Sequence, residues 1–116
     1  MDYKAIFDID GAVSRGFGLK FPDHYQKTEV ITVDSPEDAM IKAVEKARYH
    51  TKESLSNPET DCTVVKLIRL QDQSGKDFVE QIKALPKDFL NRYPEIFFEE
   101  GIPTAKCSNL EHLLLP

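Results

Sequence analysis

The chain lacks tryptophan and has two cysteines, three histidines and five glycines in 116 residues. Cys62 and Cys107 stand far apart, with no CxxC and no histidine cluster, so neither a zinc site nor a disulfide framework is indicated. They read as free, small apolar residues of a reducing compartment. No apolar run approaches the length needed to cross a membrane. The start, Met1-Asp2-Tyr3-Lys4, does not have the build of a signal peptide. A cytoplasmic location is the expectation. No glycine-rich loop opens a helix, and Ser14, Ser35 and Ser54 stand in no nucleophile elbow. An excess of positive charge is missing too. Residues 1–60 carry 8 basic against 11 acidic groups, residues 61–116 carry 7 against 9, and the formal net charge is −5. Affinity for nucleic acid rests largely on phosphate neutralisation, so this balance argues against it as the main task.

What is present is ordinary for a soluble domain: 41% hydrophobic and 30% charged residues. The length suits one domain with a real core. Tyr3, Ala5, Phe7 and Ile9 alternate with Lys4, Ile6 and Asp8, the pattern of a strand buried on one face. Residues 10–16 supply turn chemistry, and Phe17, Leu19 and Phe21 then mark a second strand ended by Pro22-Asp23. Residues 30–33 form a third, rich in β-branched residues.

Ser35-Pro36-Glu37-Asp38 is a helix start: a capping serine, a proline at the first turn, and two acids at the positive end of the dipole. Met40, Ala43, Val44 and Ala47 follow at helical spacing, predicting a helix over 36–50 whose small residues approach a sheet closely. A polar loop over 52–61 leads to a strand over 62–70, apolar on both faces and therefore central. Residues 71–75 read as a turn.

Residues 76–85 fit a helix better than a hairpin return, and Pro86 restarts a helical segment that ends before Pro94. Ser108-Asn109-Leu110-Glu111 is a capping box before Leu113-Leu114-Leu115. The expected fold is α+β: an antiparallel three-stranded meander, a helix, a fourth strand and a helical C-terminal extension. Residues 1–75 would form the core and 76–116 the extension packed on it, as a single domain.

Two resemblances bear on function. Ala5-Ile6-Phe7-Asp8-Ile9-Asp10-Gly11 resembles the first motif of haloacid-dehalogenase-type phosphatases. That resemblance implies Asp8 as nucleophile and Asp10 as acid/base beside magnesium, with Asp72 and Asp77 helping to hold the metal and Lys66 as the phosphate-binding lysine. A carboxylate can attack phosphorus once a metal screens the repulsion and an acid protonates the leaving oxygen. Residues 1–50 are similar to HicB-type antitoxins, through the Asp-rich turn at 8–11, Gly18-Leu19-Lys20-Phe21-Pro22-Asp23, and Ser35-Pro36-Glu37-Asp38-Ala39 followed by Ala43 and Ala47. This implies a truncated ribonuclease-H-like sheet and helix that binds a protein partner without catalytic residues.

The expectation from these readings is a small non-catalytic protein-interaction or regulatory domain without cofactor. Its partner would be another protein or a second copy. Contact would run through Phe89, Tyr93, Phe97, Phe98, Leu113 and Leu114. The alternative is the magnesium-dependent phosphatase. In the interaction reading, Asp8 to Gly11 is only the solvent-facing end of an edge-like strand entering a hairpin. His24, His50 and His112 lack ligand spacing and read as exposed by chance.

Overall fold

The alternation at the start of the chain continues much farther than residue 9. β1 runs Asp2–Ser14 and β2 runs Lys20–Thr32, paired antiparallel without a break from Asp2↔Thr32 to Ser14↔Lys20. The computed structural model describes residues 1–14, 20–55, 60–93 and 96–106. The described end of the expected second strand and residues 30–32 of the third thus belong to one strand, and residues 15–19 lie outside the described residues. Asp8 to Gly11, expected at a turn, lie inside β1, which is flanked by β2 and by β3 (Thr60–Gln71) rather than exposed at an edge.

Pro22-Asp23 does not end the strand, and register explains why. Met1 and Val33 exchange both backbone hydrogen bonds, at 2.9 and 3.0 Å. Bonded and non-bonded pairs alternate along an antiparallel ladder. Odd-numbered residues of β2 therefore bond inward to β1, and even-numbered residues turn their backbone outward. Pro22 falls on the outward set, where a missing N–H costs the ladder nothing.

α1 spans Pro36–Leu55, five residues beyond the expected end. Its start is as read: the Asp38 amide donates to Ser35 Oγ at 3.2 Å. Ala39, Met40, Ala43, Val44 and Ala47 are buried. They pack with Tyr3, Ala5, Phe7 and Ile9 of β1, Ile31 of β2, and Val65, Leu67 and Leu70 of β3 in one core.

β3 spans Thr60–Gln71 and is central, as its two-sided apolar pattern predicts. It pairs with β1 on one side and with the last described strand, Ile102–Lys106, on the other. Ile6 faces Arg69 while Phe7 faces Leu67, so Ile68 is an extra residue. This β-bulge lets Leu67 and Leu70, three apart, both point into the core. The turn after β3 is closed by Gly75, whose φ of 89° suits glycine.

After β3, Phe78, Val79, Ile82 and Leu85 are buried on α1's side of the sheet. The expected helix over 76–85 is a short 3-10 segment, Val79–Ala84. Pro86 does restart the helix, as the single turn α2, Lys87–Leu90.

The chain then departs from a helical extension. Ile96–Glu99 is β4 and Ile102–Lys106 is β5. They form a hairpin around Glu100 and Gly101, with φ of 55° and 81°. Two successive positive φ values give the turn that matches strand twist. β5 joins β3, so residues 96–106 complete the sheet instead of packing on it. The order is β2-β1-β3-β5-β4, antiparallel throughout. The β3–β5 ladder covers only three pairs, from Val64↔Lys106 to Lys66↔Thr104. A two-residue turn makes Glu99 and Ile102 a bonded pair, so alternation turns the nitrogen of Pro103 toward β3. With no N–H there, the ladder stops.

The expected C-terminal helix with Leu113 and Leu114, and Cys107, lie outside the described residues. Among the described residues no helix is long and apolar enough to cross a membrane.

Candidate functional site on the uncovered sheet face

Strand alternation sorts the side chains onto two faces. Tyr3, Ala5, Phe7 and Ile9 face α1, which leaves Lys4, Ile6, Asp8 and Asp10 on the other side. Among the described residues, α1, α2 and the 3-10 segment all contribute to the single core, and none covers the second face.

Three rungs cross that face. One runs Gln26, Asp8, Lys66, Thr104, Phe97; beside it lie His24, Asp10, Val64, and on the other flank Thr28, Ile6, Arg69. Asp8, Asp10, Val64, Lys66 and Glu99 line a shallow depression of about 210 Å³. His24 Nε2 approaches Asp8 Oδ1 at 2.6 Å, diagonally across the hairpin. Lys66 Nζ is 3.9 Å from Glu99 Oε1. The His24 and Asp8 side chains are 60% and 24% exposed, so solvent screens the pair and its net worth is about 1 kcal/mol or less.

Chemically the depression offers three carboxylates and one ammonium group, held by a rigid sheet. Small-molecule pockets enclose their ligands in roughly 300–1,000 Å³. This one is smaller and open.

The four acids named as possible magnesium ligands do not come together. Asp8 and Asp10 lie mid-strand, with β1 antiparallel to both neighbours. Asp72 follows Gln71, which faces Lys4, four residues along β1 from Asp8, or roughly 13 Å. Its Oδ1 accepts from the amides of Ser74 and Lys76 and from Ser74 Oγ, at 2.9, 3.0 and 2.6 Å. Those bonds hold its carboxyl below the usual range, the Ser74 hydroxyl contributing most. Asp77 Oδ1 takes the amides of Leu70 and Val79 at 3.1 and 3.0 Å. Both are turn-builders. Among the described residues no three His, Cys, Asp or Glu converge to hold a metal.

The residues expected to form one contact surface are divided between the two faces. Phe89 and Tyr93 pack partly against the core, 5.1 Å apart at an oblique ring angle. Tyr93 donates to Glu45 Oε1 at 3.3 Å, and Arg48 lies over its ring. Burial, and then the Glu45 charge, raise the Tyr93 hydroxyl above its ordinary pKa. Phe98 also faces the core, whereas Phe97 shares the rung of Lys66 on the uncovered face. A strand sends neighbours to opposite sides, so one aromatic run cannot make one patch.

His24 and Glu99 were not read from sequence as members of this site. No local pattern in the sequence gives this: the register of the first hairpin, in which residues whose numbers sum to 34 face one another, brings His24 beside Asp8 and Asp10, and the later hairpin brings Glu99. Nor is every histidine exposed. His50 is 5% exposed, its ring against Phe7 and its Nε2 3.2 Å from Glu29 Oε1.

No protein-family model, curated protein or solved structure matches this chain. Its function is therefore to be argued from this geometry.

Proposed function

We propose that this chain is a small cytoplasmic protein-interaction domain, without catalysis, that docks another protein on the uncovered face of its sheet. One observation carries the reading: among the described residues all helical segments share one core on one side, and none lies on the other face of the five-stranded sheet. That face mixes half-buried apolar side chains (Ile6, Val64, Phe97, Ile102) with Asp8, Asp10, Lys66 and Glu99. Apolar contact supplies affinity in such surfaces and charged groups supply register and specificity. The similarity to HicB-type antitoxins points the same way, to partner binding.

The test is affinity capture from native extract with the wild-type chain and with Ile6→Asp. A stoichiometric protein retained by the first and lost by the second, with the circular dichroism spectrum unchanged, is the expected result. Equal retention by both would place binding elsewhere. Magnesium-dependent hydrolysis of a generic phosphate ester, abolished by Asp8→Asn, would replace this reading with phosphoryl transfer at Asp8 and Asp10.

A further inference from the structure

The outer edge of β2 points to a second copy of this chain. Among the described residues β2 closes the sheet order and pairs only with β1. By the alternation set by Met1 and Val33, the backbone groups of His24, Gln26, Thr28, Val30 and Thr32 face outward. No described strand meets them. Edges of this kind are normally blunted by proline, by bulges, by shortness or by charged side chains; the charges on this one, Lys27 and Glu29, are of opposite sign and can pair across a two-fold axis. Here Pro22 protects one end, the β1–β2 register carries no bulge, and nine residues, 24–32, remain open.

We infer that β2 pairs antiparallel with β2 of a second copy about a two-fold axis at Thr28, making one ten-stranded sheet. The register follows from two independent constraints. Thr28 is the midpoint of the open segment between Pro22 and the end of the strand, so pairing there engages all five outward residues. Charge selects the same centre. An axis at Lys27 or Glu29 sets like charges opposite each other, and an axis at Gln26 sets Glu29 opposite Asp23. The axis at Thr28 sets Lys27 opposite the partner's Glu29, twice. These fall on non-hydrogen-bonded pairs, where side chains approach most closely. Within its own chain Glu29 is oriented by Lys46 Nζ at 3.4 Å and His50 Nε2 at 3.2 Å.

Apolar exposure agrees. Of the large hydrophobic side chains that stay exposed, Val30 (64%) and Tyr25 (48%) are both on β2. In this register Tyr25 lies opposite Ile31 of the second copy, itself already in the core, and Val30 lies opposite its Gln26, so both exposed side chains gain a neighbouring strand. A two-fold contact of this kind is isologous and closes as a dimer instead of growing into a fibre. It leaves the uncovered faces of both copies free and side by side, so it goes beyond the docking proposal and stands or falls separately.

The test is sedimentation equilibrium of the full chain over a concentration series, with circular dichroism as the control for folding. Wild type is expected to be a dimer. Thr28→Pro removes an outward N–H and no bond to β1, and Lys27→Glu sets acid against acid. Each is expected to weaken the dimer at least about tenfold while the spectrum is kept. If Thr28→Pro unfolds the chain, Lys27→Glu, at an exposed side chain, decides alone. A wild-type monomer up to hundreds of micromolar overturns the inference. So does a dimer that Lys27→Glu leaves unchanged.

Discussion

Asp8 and His24 meet across the first hairpin, carboxylate oxygen to ring nitrogen at 2.6 Å, on the side of the sheet away from the core. Because water reaches both, the contact orients two side chains without holding the fold together. Asp8→Asn and His24→Ala are each expected to change unfolding free energy by less than about 1 kcal/mol, read from urea melts. A loss beyond about 2 kcal/mol would make the pair structural and contradict this account.

The core behaves differently. Leu67 is fully buried, while Arg69 points to the other face from the far side of the bulge. Leu67→Ala is expected to cost about 2–5 kcal/mol. Arg69→Ala should stay within about 0.5 kcal/mol. Similar costs for both would mean that the strand lacks the bulge.

Ser35 accepts the Asp38 amide at the start of α1. Ser35→Ala removes that acceptor and should cost about 1 kcal/mol, with Ser35→Gly milder. Thermal melts at neutral pH read the difference.

Tyr93 gives a response to alkaline pH. Its folded pKa is raised above the unfolded value near 10.0, by burial and by Glu45. Protons then bind more tightly to the folded state, so its contribution is fully present below that value and is lost as pH rises through the folded pKa. Stability should fall on titration above pH 10, and Tyr93→Phe should flatten this limb. An identical limb in Tyr93→Phe would assign it to other groups.

Asp72 acts at the opposite end of the scale. Its folded pKa lies below the ordinary 3.8, through the Ser74 hydroxyl first and the turn amides after it. The stability it contributes is present above the unfolded pKa and lost as pH falls through the folded one. Asp72→Ala should lower stability at neutral pH and reduce the acid-limb slope. Amide exchange at Ser74 and Lys76, whose N–H groups lose their acceptor, should quicken.

Much of this was legible in local patterns. The period-two start of β1, the capped start and alanine stripe of α1, the two-sided apolar run of β3 and the restart after Pro86 all follow from short-range rules. The errors came where the meaning of a residue depends on a neighbour distant in the chain. Pro22 reads as a strand end unless its nitrogen is known to face outward, and that depends on register with β1. Ile96 to Phe98 read as an aromatic patch unless the Glu100-Gly101 turn returns them as a hairpin against β3. Asp8, Asp10 and Gly11 resemble both a turn and a phosphatase motif, because turn and motif use the same small polar residues.

The sequence by itself determined the class of fold, the helix and which residues could be core, since these depend on propensity, capping and periodicity over a few residues. Only the tertiary structure decided that Asp8 and Asp10 share a face with His24, Lys66 and Glu99 while Asp72 and Asp77 build turns elsewhere. Strand pairing did this. A register brings together residues up to 91 positions apart in number, such as Asp8 and Glu99, and a shift of one residue would send every one of them to the opposite face.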